Sequence, residues 1–124
     1  MPNGIITSSQ AKKLDQNFNS RHALISSEIV GRADNRSAWW SLKDLEDFIQ
    51  HAKNQAADLK YDLSGFRMYV AAHDDVGSTV GYTTMFIVPT GNPTGSATAK
   101  NDIPNADGLN DGENGQPPES NYPQ

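Results

Sequence analysis

The fold is decided by residues 38–89, whose sequence is AWWSLKDLEDFIQHAKNQAADLKYDLSGFRMYVAAHDDVGSTVGYTTMFIVP. Ser41 is suited to cap a helix, and Asp44, three residues later, falls in the first turn, where the helix dipole favours negative charge. Apolar residues then recur at three- and four-residue steps, which predicts an amphipathic helix. These residues are Leu42, Leu45, Phe48, Ile49, Ala52, Ala56 and Leu59.

Two strands follow this helix in the sequence. Side chains of the first strand alternate between an apolar face and a polar one. Phe66, Met68 and Val70 lie on the apolar face, and Arg67 and Tyr69 lie on the other. Residues 74–78 supply turn formers for an antiparallel hairpin, and residues 82–88 form the second strand, which ends at Pro89.

A further helix is predicted near the N-terminus, with Ser8 or Ser9 as its cap. The apolar pattern favours one helix to about Ser27, and a break at residues 17–20, which are poor in helix formers, is the alternative. Because two strands alone are marginal in water, two helices covering one face would help to stabilise them, and so would a third strand from residues 24–30, from another part of the chain or from a partner subunit. The sequence therefore predicts an α+β fold, with two helices packed on a small antiparallel sheet built on the hairpin.

The composition changes after Pro89. Residues 90–124 contain five Gly, five Pro and six Asn, and they offer little to bury beyond Ile103, Leu109 and Tyr122. This composition predicts a single α+β domain at residues 1–89, followed by an irregular Gly/Pro/Asn-rich tail at 90–124. The three apolar residues are available to hold the tail against the domain.

Charge and composition exclude several classes of protein. The chain carries a net charge of −5, of which −4 belongs to residues 90–124, so we expect no nucleic-acid partner. There is no cysteine, and hence no disulfide and no thiolate metal site. No apolar run approaches the roughly 20 residues of a membrane span, so we expect no membrane association. No signal peptide is visible at Met1, which makes a cytoplasmic location the expectation.

Two groups of residues are candidates for contact with a ligand or partner. The first is the pair Trp39 and Trp40, whose side chains point about 100° apart at a helix start, so that one anchors the core and the other lies nearer the surface. The second comprises Arg67, Tyr69, Tyr82 and Thr84. If their strand faces coincide, these four residues form a patch suited to a carboxylate or phosphate. The alternative is an ordinary half-solvated sheet face covered by the tail.

The sequence contains only incomplete matches to metal-binding and catalytic motifs. His73, Asp74 and Asp75 form a titratable cluster, but an exposed hairpin loop accounts for it. Residues 103–114 resemble a calcium loop in which Asn105, Asp107 and Asp111 occupy ligand positions three, five and nine. The first and last ligand positions hold Ile103 and Asn114, so calcium is an alternative to a turn-rich solvated tail, and no other cofactor is expected. No Walker loop, dinucleotide fingerprint or nucleophile elbow is present.

Three segments resemble a family of short bacterial proteins, best known from Bacteroidetes, to which no activity is assigned. The segments are Asn35-Arg36-Ser37-Ala38-Trp39-Trp40-Ser41-Leu42, Gly65-Phe66-Arg67-Met68-Tyr69 and Thr83-Thr84-Met85-Phe86-Ile87-Val88-Pro89-Thr90. Leu109-Asn110-Asp111-Gly112, with Gly115-Gln116-Pro117-Pro118, is similar to an ending in that family. The resemblance implies that the tail belongs to the domain. It also directs attention to Arg36, Ser37, Trp39, Arg67, Tyr69 and Thr84.

These observations favour a small non-catalytic binding or protein-interaction domain, with a protein partner or a second copy of the chain as its target. The alternative is a ligand- or calcium-binding module that uses the tail loop 103–114 or the Arg67/Tyr69 sheet face. An enzymatic role is not favoured, because it would need a pocket that unites Arg67 with a histidine and a carboxylate.

Overall fold

The computed structural model describes residues 2–96, 100–110, 112–114 and 120–124. Within these residues the elements in chain order are α1 (Ser8–Leu24), a π-helical segment (Ile25–Val30), β1 (Ala38–Trp39), α2 (Leu42–Asp58), β2 (Tyr61–Ala72), β3 (Thr83–Pro93) and β4 (Glu113–Asn114). β2 and β3 form one two-stranded sheet, and β1 pairs with β4 in another. The prediction of an α+β fold with two helices and a small antiparallel sheet is confirmed.

Helix α1 begins with a capping box. The Thr7 hydroxyl accepts a hydrogen bond from the Gln10 backbone N–H (3.1 Å), and the Gln10 side chain accepts one from the Thr7 N–H (2.8 Å). The predicted caps, Ser8 and Ser9, are wrong, because only Thr7 stands three residues before a glutamine that can reciprocate. The helix passes residues 17–20 without a break. Residues 25–30 continue it in π-helical form, so no strand forms there.

The described residues fall into two compact units. The first comprises Met1–Ala38, Ala72–Thr84 and Asn114–Gln124, and the second comprises Trp39–Ala71 and Met85–Glu113. The second unit holds α2, most of the β2–β3 hairpin and the described residues between 94 and 113. No helix in the described part of the chain is long and apolar enough to cross a membrane.

The first unit is built around Asp34, which is 1% exposed. Its carboxylate accepts hydrogen bonds from the Thr83 backbone N–H (2.8 Å) and from the Thr83 hydroxyl. Its own N–H donates to Ser26 Oγ (3.0 Å), and its carbonyl oxygen lies 2.7 Å from His22 Nε2. Asp34 therefore joins the π-helical segment, α1 and the start of β3 through four hydrogen bonds.

In the second unit, Ser41 caps α2 as predicted, since its hydroxyl accepts from the Asp44 N–H at 2.9 Å. The buried face of α2 consists of Phe48, Ala52 and Ala56. The Phe48 ring lies 5.8 Å from that of Phe66 on β2. This stripe follows the helical period that the sequence predicts.

Described residues beyond Pro93 pair with the outer edge of β3. Ile87 and Leu109 exchange two backbone hydrogen bonds, of 2.9 and 2.8 Å. Nearer the end of β3, the Ile103 N–H donates to the Pro89 carbonyl at 3.1 Å, and Ile103 is 5% exposed. Thr90 and Asp102 form a second antiparallel bridge. Residues 101–103 and 109 thus occupy the β3 edge and contribute an apolar side chain to the core of this unit.

Candidate functional site

The register of the hairpin determines which side chains of β2 share a face. Tyr69 stacks on Phe86 of β3, with ring centroids 5.2 Å apart and planes inclined by 24°. Gly65 lies opposite Thr90 in the same register, since a Cβ atom on Gly65 would lie 3.6 Å from Thr90 Oγ1. Arg67, between Gly65 and Tyr69, therefore points to the Phe86 side of the sheet.

Arg67 and Tyr69 hold a carboxylate between them. Arg67 Nη1 donates to Asp102 Oδ1 at 2.6 Å, and the Tyr69 hydroxyl donates to Asp102 Oδ2 at 2.5 Å. Arg67 Nη2 also donates to the Lys100 carbonyl oxygen at 2.5 Å. We refer to Arg67, Tyr69 and Asp102 as the carboxylate clamp.

Hydrogen bonding shifts the pKa of each group in the clamp. The hydrogen bond from Tyr69, together with that from Arg67 and its positive charge, lowers the pKa of Asp102 against the opposing effect of desolvation. The same carboxylate, as hydrogen-bond acceptor, raises the pKa of Tyr69 and that of Arg67. At neutral pH the clamp therefore consists of an ionised carboxylate, a protonated phenol and a charged guanidinium.

A cavity of about 300 Å³ lies beside the clamp. Its lining residues are Ser64, Gly65, Phe66, Arg67, Thr90 and Lys100. Two of them are cationic, and the hydroxyl oxygens of Ser64 and Thr90 lie 3.0 Å apart. Carboxylates are absent from this described lining, so the chemistry of the cavity favours anions.

The opposite face of β2 is apolar and exposed. The exposed fraction rises along the strand from 39% at Phe66 to 56% at Met68 and 74% at Val70. We refer to these three residues as the apolar row. Helix α2 contacts the first of them through Phe48. Among described residues no strand pairs with the outer edge of β2, because its sheet contains only β2 and β3.

The two tryptophans have different surroundings. Trp39 is 60% exposed, whereas Trp40 is partly buried and its indole N–H donates to the Asn110 carbonyl oxygen at 2.9 Å. Both lie before the helix rather than in it, since Ser41 is the N-cap. Trp40 thus anchors Asn110 to the second unit, and Trp39 presents its ring to solvent.

Arg36 is buried in the first unit. Its side chain is 3% exposed and bonds to Asp15 (3.2 Å to the carboxylate, 2.9 Å to the carbonyl) and to Asn19 (2.9 Å). The guanidinium also lies 5.4 Å from the ring centre of Phe18. These contacts hold α1 to the segment that precedes β1, which is a structural role.

Tyr82 and Thr84 also belong to the first unit. The guanidinium of Arg32 lies over the Tyr82 ring, 4.0 Å from its centre, and Arg32 Nη2 donates to the Val80 carbonyl at 2.7 Å. Thr84 is partly buried in β3. Arg67 and Tyr69 belong to the second unit, where their partner is Asp102.

Of the predicted calcium ligands, Asp107 has protein partners. Asp107 Oδ2 lies 2.9 Å from His51 Nε2, and the Asp107 N–H donates to the Gln55 side chain at 2.7 Å. Asn105 is exposed and has φ 66°. Asp111 lies outside the described residues. No group of three or more His, Cys, Asp or Glu residues within the described ranges is placed to hold a metal ion.

His22 and Ser26 have the spacing of a catalytic dyad but not its geometry. Ser26 Oγ lies 3.5 Å from His22 Nε2, and this nitrogen is also 2.7 Å from the Asp34 carbonyl oxygen. A carbonyl oxygen only accepts, so Nε2 must carry the proton and is not a base for Ser26. The pair therefore stabilises the first unit.

No protein family, curated protein or solved structure matches this chain. The carboxylate clamp, its cavity and the apolar row are therefore the basis for a functional proposal.

Sequence reasoning identified Arg67 and Tyr69 but missed Asp102, Lys100, Ser64 and Thr90. Asp102 and Lys100 are more than 30 residues away from Arg67 in the chain. One local signal was present, because Asp102 immediately precedes Ile103, an apolar residue in a polar stretch. A side chain next to a buried anchor is held in place, and alternation would direct Asp102 away from the core.

Proposed function

We propose that this chain is a small non-catalytic interaction domain whose partner is a second copy of itself, paired through the outer edge of β2. The observation that carries the proposal is the apolar row on a strand whose outer edge has no strand partner among described residues. Exposed edges of this kind add strands from other chains.

The backbone alternation of β2 supports pairing at this edge. The His73 N–H donates to the Tyr82 carbonyl at 2.9 Å just beyond the ends of β2 and β3, which indicates the parity of the hydrogen-bonded pairs in the hairpin. In an antiparallel ladder such pairs recur at every second residue, so odd-numbered residues of β2 bond to β3. Even-numbered residues, including Met68, then direct their N–H and C=O groups to the outer edge.

The sequence of β2 is self-complementary about Met68. A two-fold axis there places Phe66 opposite Val70 of the second copy, and Met68 opposite its own equivalent. An axis at Arg67 would set two like charges opposite each other, which is destabilising. The axis at Met68 therefore matches apolar side chains on one face and avoids that repulsion.

Charge complementarity on the face of β2 that carries Arg67 and Tyr69 also favours a two-fold axis at Met68. Arg67 of one copy would lie opposite Tyr69 of the other, whose hydroxyl donates to Asp102. The cation would thus meet an aromatic ring with a carboxylate behind it. Residues 65–71 contain no acidic side chain, so the net charge of −5 is not concentrated at this edge.

Sedimentation velocity tests this proposal. Because the interface is a short ladder with a small apolar row, we expect a dimer with a dissociation constant on the order of 10–100 µM. Val70→Lys should weaken association at least tenfold, since a lysine on the edge opposes strand addition. Val76→Lys is the matched control, because Val76 is 77% exposed and lies in the hairpin loop.

The proposal would be overturned by wild-type protein that remains a monomer up to about 1 mM. It would equally be overturned if Val70→Lys and Val76→Lys associate alike. Both substitutions are at exposed positions, and far-ultraviolet circular dichroism verifies that the fold is retained.

A further inference from the structure

We infer that the cavity beside the carboxylate clamp is a binding site for a small phosphate monoester. Arg67 lies both in this cavity and on β2, so the inference is tested through Lys100 and Asp102, which lie outside the apolar row. The inference is carried by the side chains that surround the 300 Å³ cavity.

The cavity combines positive charge with polar hydrogen-bonding groups. Arg67 and Lys100 supply two cations, and the paired hydroxyls of Ser64 and Thr90 form a polar part of the lining. A guanidinium has five N–H groups, of which the bonds to Asp102 and to the Lys100 carbonyl use two within the described residues. Arg67 is therefore able to bind Asp102 and an additional anion at once.

A phosphate group fits these donors better than a carboxylate. The clamp already holds one carboxylate, that of Asp102, across Arg67 and Tyr69. A phosphate monoester carries nearly two negative charges and three terminal oxygens, so it can engage Arg67 and Lys100 together.

Asp102 acts as an internal competitor in this arrangement. Its carboxylate neutralises part of the Arg67 charge and repels an incoming anion. Asp102→Asn removes that charge but retains an oxygen that can accept from Arg67. We therefore expect the substitution to increase phosphate affinity, an effect that a purely structural clamp would not produce.

The experiment is a titration of the full chain with phenyl phosphate, inorganic phosphate and benzoate, followed by amide chemical shifts at low ionic strength. We expect phenyl phosphate to shift the Gly65 and Thr90 amides with a dissociation constant of about 1 mM. Benzoate should bind more weakly. Asp102→Asn should tighten phenyl phosphate about five- to tenfold, and Lys100→Gln should weaken it by a similar factor.

Two matched controls separate a site from general charge effects. Lys53→Gln and Asp58→Asn change the net charge by the same amounts as Lys100→Gln and Asp102→Asn, but at exposed positions of α2 outside the cavity lining. Both should leave the affinity within about twofold of wild type. The inference is overturned if phenyl phosphate shifts no cavity amide, if benzoate binds more tightly, or if the controls match the cavity variants.

Discussion

Tyr69 on β2 donates its hydroxyl hydrogen to Oδ2 of Asp102, 33 residues further along the chain, at a distance of 2.5 Å. Arg67 bonds to the other oxygen of the same carboxylate, so two residues of β2 hold one side chain that follows β3. The backbone next to Asp102 is paired with β3 as well, through Ile103 and Pro89. Residues 101–103 are therefore bound to both strands of the hairpin.

The carboxylate clamp makes the free energy of unfolding depend on pH in both the acidic and the alkaline range. The folded-state pKa of Asp102 is lowered, so its contribution is complete above the unfolded value near 4 and is lost as pH falls through the folded pKa. The folded-state pKa of Tyr69 is raised, so its contribution is present below about pH 10 and is lost as pH rises through the folded pKa.

We therefore predict that the difference in unfolding free energy between wild type and Asp102→Asn is constant from about pH 6 to about pH 9, and shrinks below about pH 4. Urea unfolding at a series of pH values measures this difference. If the difference between wild type and Asp102→Asn grew as the pH fell, the lowered pKa of Asp102 would be contradicted.

Ile103 should be the main apolar anchor for the residues that follow β3. Because it is 5% exposed, Ile103→Ala should destabilise the second unit by about 2–4 kcal/mol. Val76→Ala, at a position 77% exposed, should cost less than about 0.5 kcal/mol. Chemical denaturation compares the two variants, and equal effects would show that Ile103 is not a core residue.

Asp34 should be the most sensitive polar position of the first unit. Asp34→Ala leaves the Thr83 N–H and hydroxyl without their buried acceptor and should cost about 3 kcal/mol. Asp34→Asn should cost less, because the amide oxygen still accepts from the N–H and the Thr83 hydroxyl can accept from the amide nitrogen. Thermal and urea unfolding measure the stability that each variant loses. An equal loss for Asp34→Ala and Asp34→Asn would contradict the prediction.

Local sequence patterns predicted the helix and the strands that are determined by neighbouring residues. The 3.6-residue apolar stripe and Ser41 identified α2, and alternation with a turn-rich loop identified the hairpin. The alternation also separated Arg67 and Tyr69 from the apolar row. Each of these features depends on residues within a few positions of one another.

Features that depend on distant residues were not predictable. Nothing near Asp34 indicates that Thr83 will pair with it across 49 residues, or that Asp102 will enter the clamp. The composition of residues 90–124 indicates an irregular chain, and composition does not reveal that Ile103 and Leu109 pair with β3. Long-range pairing is determined by which edge of the sheet remains open, which a sequence pattern does not encode.

The most direct test of the central claim, that two copies pair through β2 about Met68, is chemical cross-linking at that position. The chain has no cysteine, so Met68→Cys carries a single thiol, and Val76→Cys is a control at another exposed position. With a short homobifunctional thiol reagent, we predict that Met68→Cys yields a covalent dimer as the main product and that Val76→Cys stays monomeric. Equal yields of dimer from the two variants, or none from either, would contradict the account.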